Sequence, residues 1–181
     1  IIVVTGAVDD LLSLRPWVKL VLQLIAALVA IRHGVVIRIL TNPGNASAEA
    51  IALGALSIPV TLLWIVGMTN ALNLIDGLDG LAAGVCGIGC ASMLAVSLFL
   101  PEATEISVLV AALGGACLGF LPFNINPAKI FMGDSGSLLL GYVLSTASVL
   151  GLFKMYTLVA FAVPVLTLAL PLTDTAFAVI R

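Results

Sequence analysis

Residues 70–84 read NALNLIDGLDGLAAG: two Asn and two Asp, at Asn70, Asn73, Asp76 and Asp79, each three residues from the next, in surroundings made largely of Leu, Ala and Ile. On a helix each such step advances about 4.5 Å while rotating slowly about the axis, so the four predict a sloping polar stripe where an apolar helix meets a surface. Gly77 and Gly80 let the backbone loosen there or admit another group closely. One reading is structural, with Asn and Asp satisfying a helix end. The other is functional: an acid or amide at membrane depth is costly unless paired, and two acids without a nearby base imply a cation.

The rest of the chain decides what surrounds that stripe. Of its 181 residues 62% are hydrophobic and 9% charged, with mean hydropathy +1.28, whereas soluble domains carry about a quarter charged residues. The fold class is therefore all-α, a polytopic transmembrane helical bundle. No alternation of the barrel type is visible, and backbone in lipid must satisfy its own hydrogen bonds. Spans of about 20 apolar residues are expected at 17–33, 59–75, 78–100, 106–123, 136–153 and 156–180, after a stub at 1–8. The polar connection 33–58 is expected at a membrane surface. The absence of an initial Met and the apolar run up to Arg181 suggest that residues 1–181 are one transmembrane catalytic domain truncated at both ends. A net charge of −2 and pI near 5.1 argue against nucleic acid as a partner. Cys86, Cys90 and Cys117 lack metal-ligand spacing and are expected to pack as small apolar residues.

Counting spans assigns the connections to two sides. All six Asp (9, 10, 76, 79, 134 and 174) fall on or near one face, and all three Glu (49, 102 and 105) on the other. Solubility alone does not sort acids by type and side, so the Asp face is expected to carry the site. Arg15, Lys19, Lys129 and Arg181 on that face, against Arg32, Arg38 and Lys154 opposite, weakly favour the Asp face as cytoplasmic.

Further polar motifs lie on the same side. In TGAVDDLLSLRPWVK the adjacent carboxylates of Asp9 and Asp10 repel unless a base or metal compensates, and either could instead cap a following helix. Lys19 is read as an interface anchor or as a partner for phosphate. FMGDSGSLLLGY places Asp134 between Gly133 and Ser135 just before a span, a pattern that suits an N-cap and equally a metal–phosphate seat. Upstream, FLPFNINPAK supplies Asn124 and Lys129, followed by the ring of Phe131; amide, cation and ring together suit a nucleotide better than a bare ion. His33 is expected to be an ordinary interfacial residue, and Asp174 is either a packing partner or a distant site member.

NALNLIDGLDGLAAG with VDDLLSL, GFLPFNINPAKIFMGDSGSLLLG and PLTDTAFAVIR resembles the polyprenyl-phosphate N-acetylhexosamine-1-phosphate transferases, membrane enzymes that begin lipid-linked glycan synthesis. The resemblance implies transfer of a sugar-1-phosphate from a UDP-amino sugar, UDP-GlcNAc first among them, to polyprenyl (undecaprenyl) phosphate with release of UMP. It implies Mg²⁺, with Mn²⁺ as an alternative ion, and a site on the cytoplasmic face of the plasma (inner) membrane, with a second copy of the chain as a possible partner. By the same resemblance Asn73 and Asp134 would hold the metal. Asp9 and Asp10 would sit beside the acceptor phosphate or the metal and, with Asp134, form the catalytic set. Lys19 would meet a phosphate, and Asn70, Asp76, Asp79, Asn124 and Phe131 would bind the donor. LIDGLDGLAAG and the PLTDTxF ending look more like enzymes initiating O-antigen or teichoic acid synthesis than like the phospho-MurNAc-pentapeptide transferase. Ser13 departs from the family, which often has a third acid there, and the His-rich loop expected beyond Arg181 is not in this sequence.

The chemistry explains why few charges suffice. Phosphoryl transfer is mostly positioning and charge neutralisation, and Mg²⁺ takes one or two carboxylates and leaves its other positions to water and phosphate. Direct attack by the acceptor phosphate on the β-phosphorus is expected, with Asp9 as base or positioning group; a phospho-aspartate route stays open. The rival class is a cation- or proton-coupled transporter, which predicts acids near the bilayer midplane. A structural scaffold leaves the one-sided Asp unexplained.

Overall fold

The computed structural model describes residues 1–41, 50–97 and 104–151. The expected span 156–180, Asp174, Glu49, Glu102, Lys154 and Arg181 lie outside the described residues. Six helices are present within them: α1 (Ile2–Leu12), α2 (Pro16–Arg32), α3 (Ser57–Ile75), α4 (Leu81–Ser97), α5 (Thr104–Asn124) and α6 (Gly133–Gly151). Five match the expected spans at 17–33, 59–75, 78–100, 106–123 and 136–153 to within a few residues where they are described.

The stub is longer than expected. Helix α1 continues through Asp9 and Asp10 to Leu12, so the acidic pair lies in a helical last turn rather than in a loop at 9–16. Ser13 ends the helix in the left-handed region at φ 49°, its N–H donating to the Asp9 carbonyl at 2.8 Å. Pro16 then opens α2 at the position where a missing N–H costs nothing. The connection 33–58 also departs from a purely surface path. Val35 and Ile37 are buried, and the Ile37 N–H donates to Thr61 Oγ1 at 2.9 Å, because these apolar residues find cover against α3. A short antiparallel ladder, β1 (Ile39–Thr41) with β2 (Ala50–Ala52), pairs Ile39 with Ala52 and Thr41 with Ala50.

Helix α6 packs on both α1 and α3, and α4 packs on α5. Glycine permits the two closest approaches. A Cβ at Gly141 would fall 2.6 Å from Thr69 Cα of α3, and one at Gly6 would overlap the backbone of Asp134 and Ser135. Small residues let helices approach in this way where lipid offers no hydrophobic drive. Met68, Leu72, Cys86, Cys90, Val110, Cys117 and Leu144 form the main core, and the three cysteines are buried and free. Polar side chains in the interior close their hydrogen bonds: Thr69 Oγ1 donates to Ile65 O at 2.7 Å, Tyr142 Oη to Ala26 O at 3.0 Å and Trp64 Nε1 to Ser148 Oγ at 3.0 Å. Among the described residues no buried side-chain nitrogen or oxygen lacks a partner.

The outside is apolar. Trp17, Leu20, Val21, Ile25, Leu28 and Val29 stand exposed along α2, and Val108, Leu109 and Leu118 along α5. Among the described residues two helical stretches, Gly54–Ile75 and Glu105–Asn124, are long and apolar enough to cross a bilayer.

Candidate active site

The C-terminal ends of α1, α3 and α5 and the N-terminal ends of α2, α4 and α6 meet at one side of the bundle, and the Asp residues gather there. Lys19, in the first turn of α2, stands at the centre. Its Nζ donates to Asp9 Oδ2 of α1 at 2.9 Å, to Asn73 Oδ1 of α3 at 2.9 Å and to Asp134 Oδ2 of α6. Four helices are thus tied through one ammonium. Asn73 Nδ2 completes the ring by donating to Asp134 Oδ1 at 2.7 Å and to Ser137 Oγ at 2.9 Å. The Ser137 hydroxyl donates one turn back to Gly133 O at 2.9 Å. Only 15% of the Lys19 side chain and 11% of that of Asp9 are exposed, so solvent screens this pair weakly, whereas 31% of the Asp134 side chain is exposed.

Asp10 does a different job from its neighbour. Its Oδ1 accepts from the Asp134 N–H at 2.7 Å and its Oδ2 from the Ser135 N–H at 3.1 Å. The α6 N-terminus is therefore capped by a carboxylate from another helix, not by Asp134 or Ser135. A capping acid of this kind contributes about 0.5–2 kcal/mol and complements the helix dipole. Gly133, at φ +68°, makes room, since a Cβ there would lie 2.9 Å from Asp10 Oδ2. Asp9 is held as firmly, its Oδ1 accepting from the Leu14 N–H at 2.7 Å.

The stripe at 70–79 divides into separate tasks. Asn70 and Asn73 lie on α3, but the helix ends at Ile75 with Asp76 as its C-cap, so Asp79 lies beyond it. Asn70, one level deeper than Asn73, exchanges two amide hydrogen bonds with Gln23, at 2.6 and 3.2 Å. Gln23 is buried. It sits one turn from Lys19 on the same face of α2, as Asn70 sits one turn from Asn73 on α3, so the two helices are joined by two polar rungs. Asp79 reaches the 125–130 loop, its Oδ2 accepting from Asn126 Nδ2 and the Ala128 N–H, both at 3.0 Å. Asn124, buried at the end of α5, completes this second unit: its Oδ1 accepts from the Gly80 N–H at 3.0 Å and its Nδ2 donates to Ile130 O at 3.0 Å. Phe131 is 77% exposed on the same side. His33 lies at the other end of α2, with a ring nitrogen 2.8 Å from Val29 O.

Asp76 stands apart. Among the described residues its carboxylate has no hydrogen-bond partner, and burial first, then the charges of Asp134 and Asp10, push its pKa up to about 6. Its charge can therefore change near pH 6.

Against known proteins, residues 1–152 match the family model described as glycosyl transferase family 4. The chain belongs to glycosyl transferase family 4. Its apolar helices are those of a polytopic membrane protein. A relative from Bacillus subtilis (strain 168), named "Probable undecaprenyl-phosphate N-acetylglucosaminyl 1-phosphate transferase", is 44% identical over 181 residues, all of this chain and 50% of the relative. A decaprenyl-phosphate N-acetylglucosaminephosphotransferase from Mycobacterium tuberculosis (strain CDC 1551 / Oshkosh) is 41% identical over 150 residues, 79% of this chain and 37% of the relative. A phospho-N-acetylmuramoyl-pentapeptide-transferase from Chlamydia trachomatis serovar D is 52% identical over 97 residues, 52% of this chain and 29% of the relative. The family-4 chain thus spans about half the length, or less, of these curated relatives.

Of the predicted site residues, the structure brings Asp9, Lys19, Asn73 and Asp134 into direct contact and joins Asp10 to them through the α6 N-terminus. Asp79 and Asn124 form the second unit, and Asn70 lies beneath the first. The sequence reading missed Gln23 and Ser137. Each carried a usable signal: a polar residue on an apolar helix, three or four residues from Asp134 or Lys19 and hence on the same face. The acids at these helix ends also remove the main support for a transporter, which required them near the midplane.

Proposed function

We propose that the full-length protein containing this chain transfers N-acetylhexosamine-1-phosphate, from UDP-GlcNAc or a related UDP-amino sugar, to polyprenyl phosphate at the cytoplasmic face of the plasma membrane. The observation that carries this reading is the convergence of Asp9, Asn73 and Asp134 oxygens on one cation at the helix ends. The activities named for the Bacillus and Mycobacterium relatives supply the substrate class.

The donor set fits Mg²⁺. Among the described residues no group of three or more His, Cys, Asp or Glu forms a ready metal cage, but Mg²⁺ rarely uses one: it takes one or two carboxylates and shares its remaining positions among waters and phosphates. Asp134 and Asn73 would hold the ion, with Asp9 beside it, and the bound ion would neutralise the pyrophosphate of the donor. An acceptor-phosphate oxygen then attacks the β-phosphorus of the UDP-sugar. The new P–O bond forms as the bond to the α-phosphate oxygen breaks, and UMP leaves with that electron pair. Lys19 offers its charge to phosphate, and Asp10 holds the α6 N-terminus so that Asp134 stays in register. Asp9 already accepts from Lys19 and from the Leu14 amide. Those bonds favour a positioning role over that of a base, which an already ionised phosphate does not require. Asp76 and the exposed Phe131 would meet the nucleotide, while Asp79 and Asn124 shape the loop that presents the ring.

The test is UMP release by the full-length protein in lipid, with polyprenyl phosphate, Mg²⁺ and a panel of UDP-amino sugars. Release that needs lipid, metal and Asp134 supports the reading and names the sugar. A folded protein that releases no UMP from any donor overturns it.

A further inference from the structure

Lys19 occupies the place where a cation would be expected. An ammonium has three donors and no acceptor, and here all three are used, on oxygens from three different helices: Asp9 Oδ2, Asn73 Oδ1 and Asp134 Oδ2. The Asn73 amide has no freedom to turn away, because Asp134 Oδ1 and Ser137 Oγ take its Nδ2 at 2.7 and 2.9 Å and leave its oxygen facing Lys19. Ser137 is itself fully buried and tied to Gly133 O. The oxygens that would bind a divalent ion through Asn73 and Asp134 are therefore the ones Nζ now contacts. Two cations sharing such oxygens within hydrogen-bond length would repel strongly in a partly buried site.

We propose that Lys19 and the divalent ion exchange at one seat. Without the ion, the Lys19 ammonium fills the seat and neutralises Asp9 and Asp134, which would otherwise repel each other across the helix ends. When the ion is bound, the ammonium leaves on its flexible four-carbon stem. Asp9, anchored by the Leu14 amide, remains within reach of it, and the free donors become available to an anionic phosphate oxygen. The phosphate contact of Lys19 thus exists only in the metal-loaded protein, which couples acceptor binding to metal. This inference rests on the divalent-ion assignment proposed above and adds the order in which the two cations use it.

The experiment uses the full-length protein in detergent with Mn²⁺ as probe, bound ion being read from the loss of the free-ion electron paramagnetic resonance signal. In parallel, reductive methylation of Lys19 in the wild-type protein is followed by mass spectrometry. Lys19→Met is expected to bind Mn²⁺ about tenfold more tightly, because a competing charge is gone, and Asp134→Asn to lose most binding. Methylation of wild-type Lys19 is expected to rise on saturation with Mn²⁺ and to fall again when polyprenyl phosphate is added. Unchanged or weaker binding by Lys19→Met, with Asp134→Asn still defective, overturns the exchange and leaves the metal assignment standing. Flat Lys19 methylation across Mn²⁺ saturation also overturns it, since tighter binding by the variant would then reflect charge at a distance. No Mn²⁺ bound by either wild type or Lys19→Met removes the metal assignment and the exchange together. The methylation arm does not depend on any variant folding.

Discussion

The Lys19 cluster and the clasp formed by Asn124 and Asp79 both use Asp and Asn at the same side of the bundle, yet they are wired oppositely. In the cluster, side chains bond to side chains: Lys19 with Asp9, Asn73 and Asp134. In the clasp, side chains bond mainly to backbone: Asn124 to Gly80 N–H and Ile130 O, Asp79 to the Ala128 N–H. Backbone partners cannot leave without unfolding the loop, whereas an ammonium on a flexible stem can exchange for another cation. Residue type alone does not separate chemistry from architecture here; the identity of the partner does.

The comparison can be broken most sharply at Asp134. Asp134→Asn keeps the shape but removes the charge and leaves one acceptor where Lys19 Nζ and Asn73 Nδ2 now use two, so UMP release is expected to fall about 10²–10³-fold, the scale of losing one electrostatic contact in a transition state, with a smaller loss of stability of about 1–3 kcal/mol for the donor left unpaired. A large loss of stability instead would place Asp134 with the architectural group. Asn124→Ala should do the reverse. It leaves the part-buried Gly80 N–H and Ile130 carbonyl unpaired, and is expected to cost about 2–6 kcal/mol, from about 1–3 kcal/mol for each orphaned group. Thermal denaturation in detergent reads that loss, and KM for donor in the remaining folded protein should stay near wild type.

Gly6→Ala probes the frame that holds the Lys19 cluster. The added methyl overlaps the backbone of Asp134 and Ser135, and overpacking of this kind costs about 1–3 kcal/mol. Moving α1 from α6 also separates Asp10 from the amides it caps, so activity should fall more than stability alone explains. Equal activity per folded molecule would show that the Asp10 contact is dispensable.

The smallest effect is expected from Asp76. Its carboxyl ionises at about 6 in the folded protein instead of the ordinary 3.8, so the folded state holds a proton that the unfolded chain has released. Stability from this group is therefore lost as pH rises from about 4 to about 6 and is constant above. Relative to wild type, Asp76→Asn should gain in melting temperature across that window and keep a fixed difference at higher pH. A difference that does not change with pH would mean that Asp76 is ionised throughout.

Much of the fold was legible. Long apolar runs require helices because no water is present in lipid to satisfy the backbone, and the runs near 17–33, 59–75 and 106–123 became α2, α3 and α5 within a few residues. Less legible were the ends. The sequence reading turned Asp9–Asp10 into a loop because two charges interrupt an apolar stretch, but Asp10 is bonded to the start of α6, 124 residues away. The Asn–Asn–Asp–Asp stripe looked like one surface because its spacing is regular. Helix α3 stops at Ile75, and Asp79 then faces another loop.

By itself, then, the sequence determined the solvent, the helices and the side of the bundle to which acids were assigned, because hydropathy and span parity depend only on the order of residues along the chain. Only the tertiary structure decided which polar groups share a hydrogen bond: that Lys19 joins Asp9, Asn73 and Asp134, that Asp10 caps α6, and that Asn124 belongs to a clasp. Those choices depend on how closely the helices approach, which Gly6 and Gly141 permit, and close approach is a property of pairs of helices that no single segment encodes.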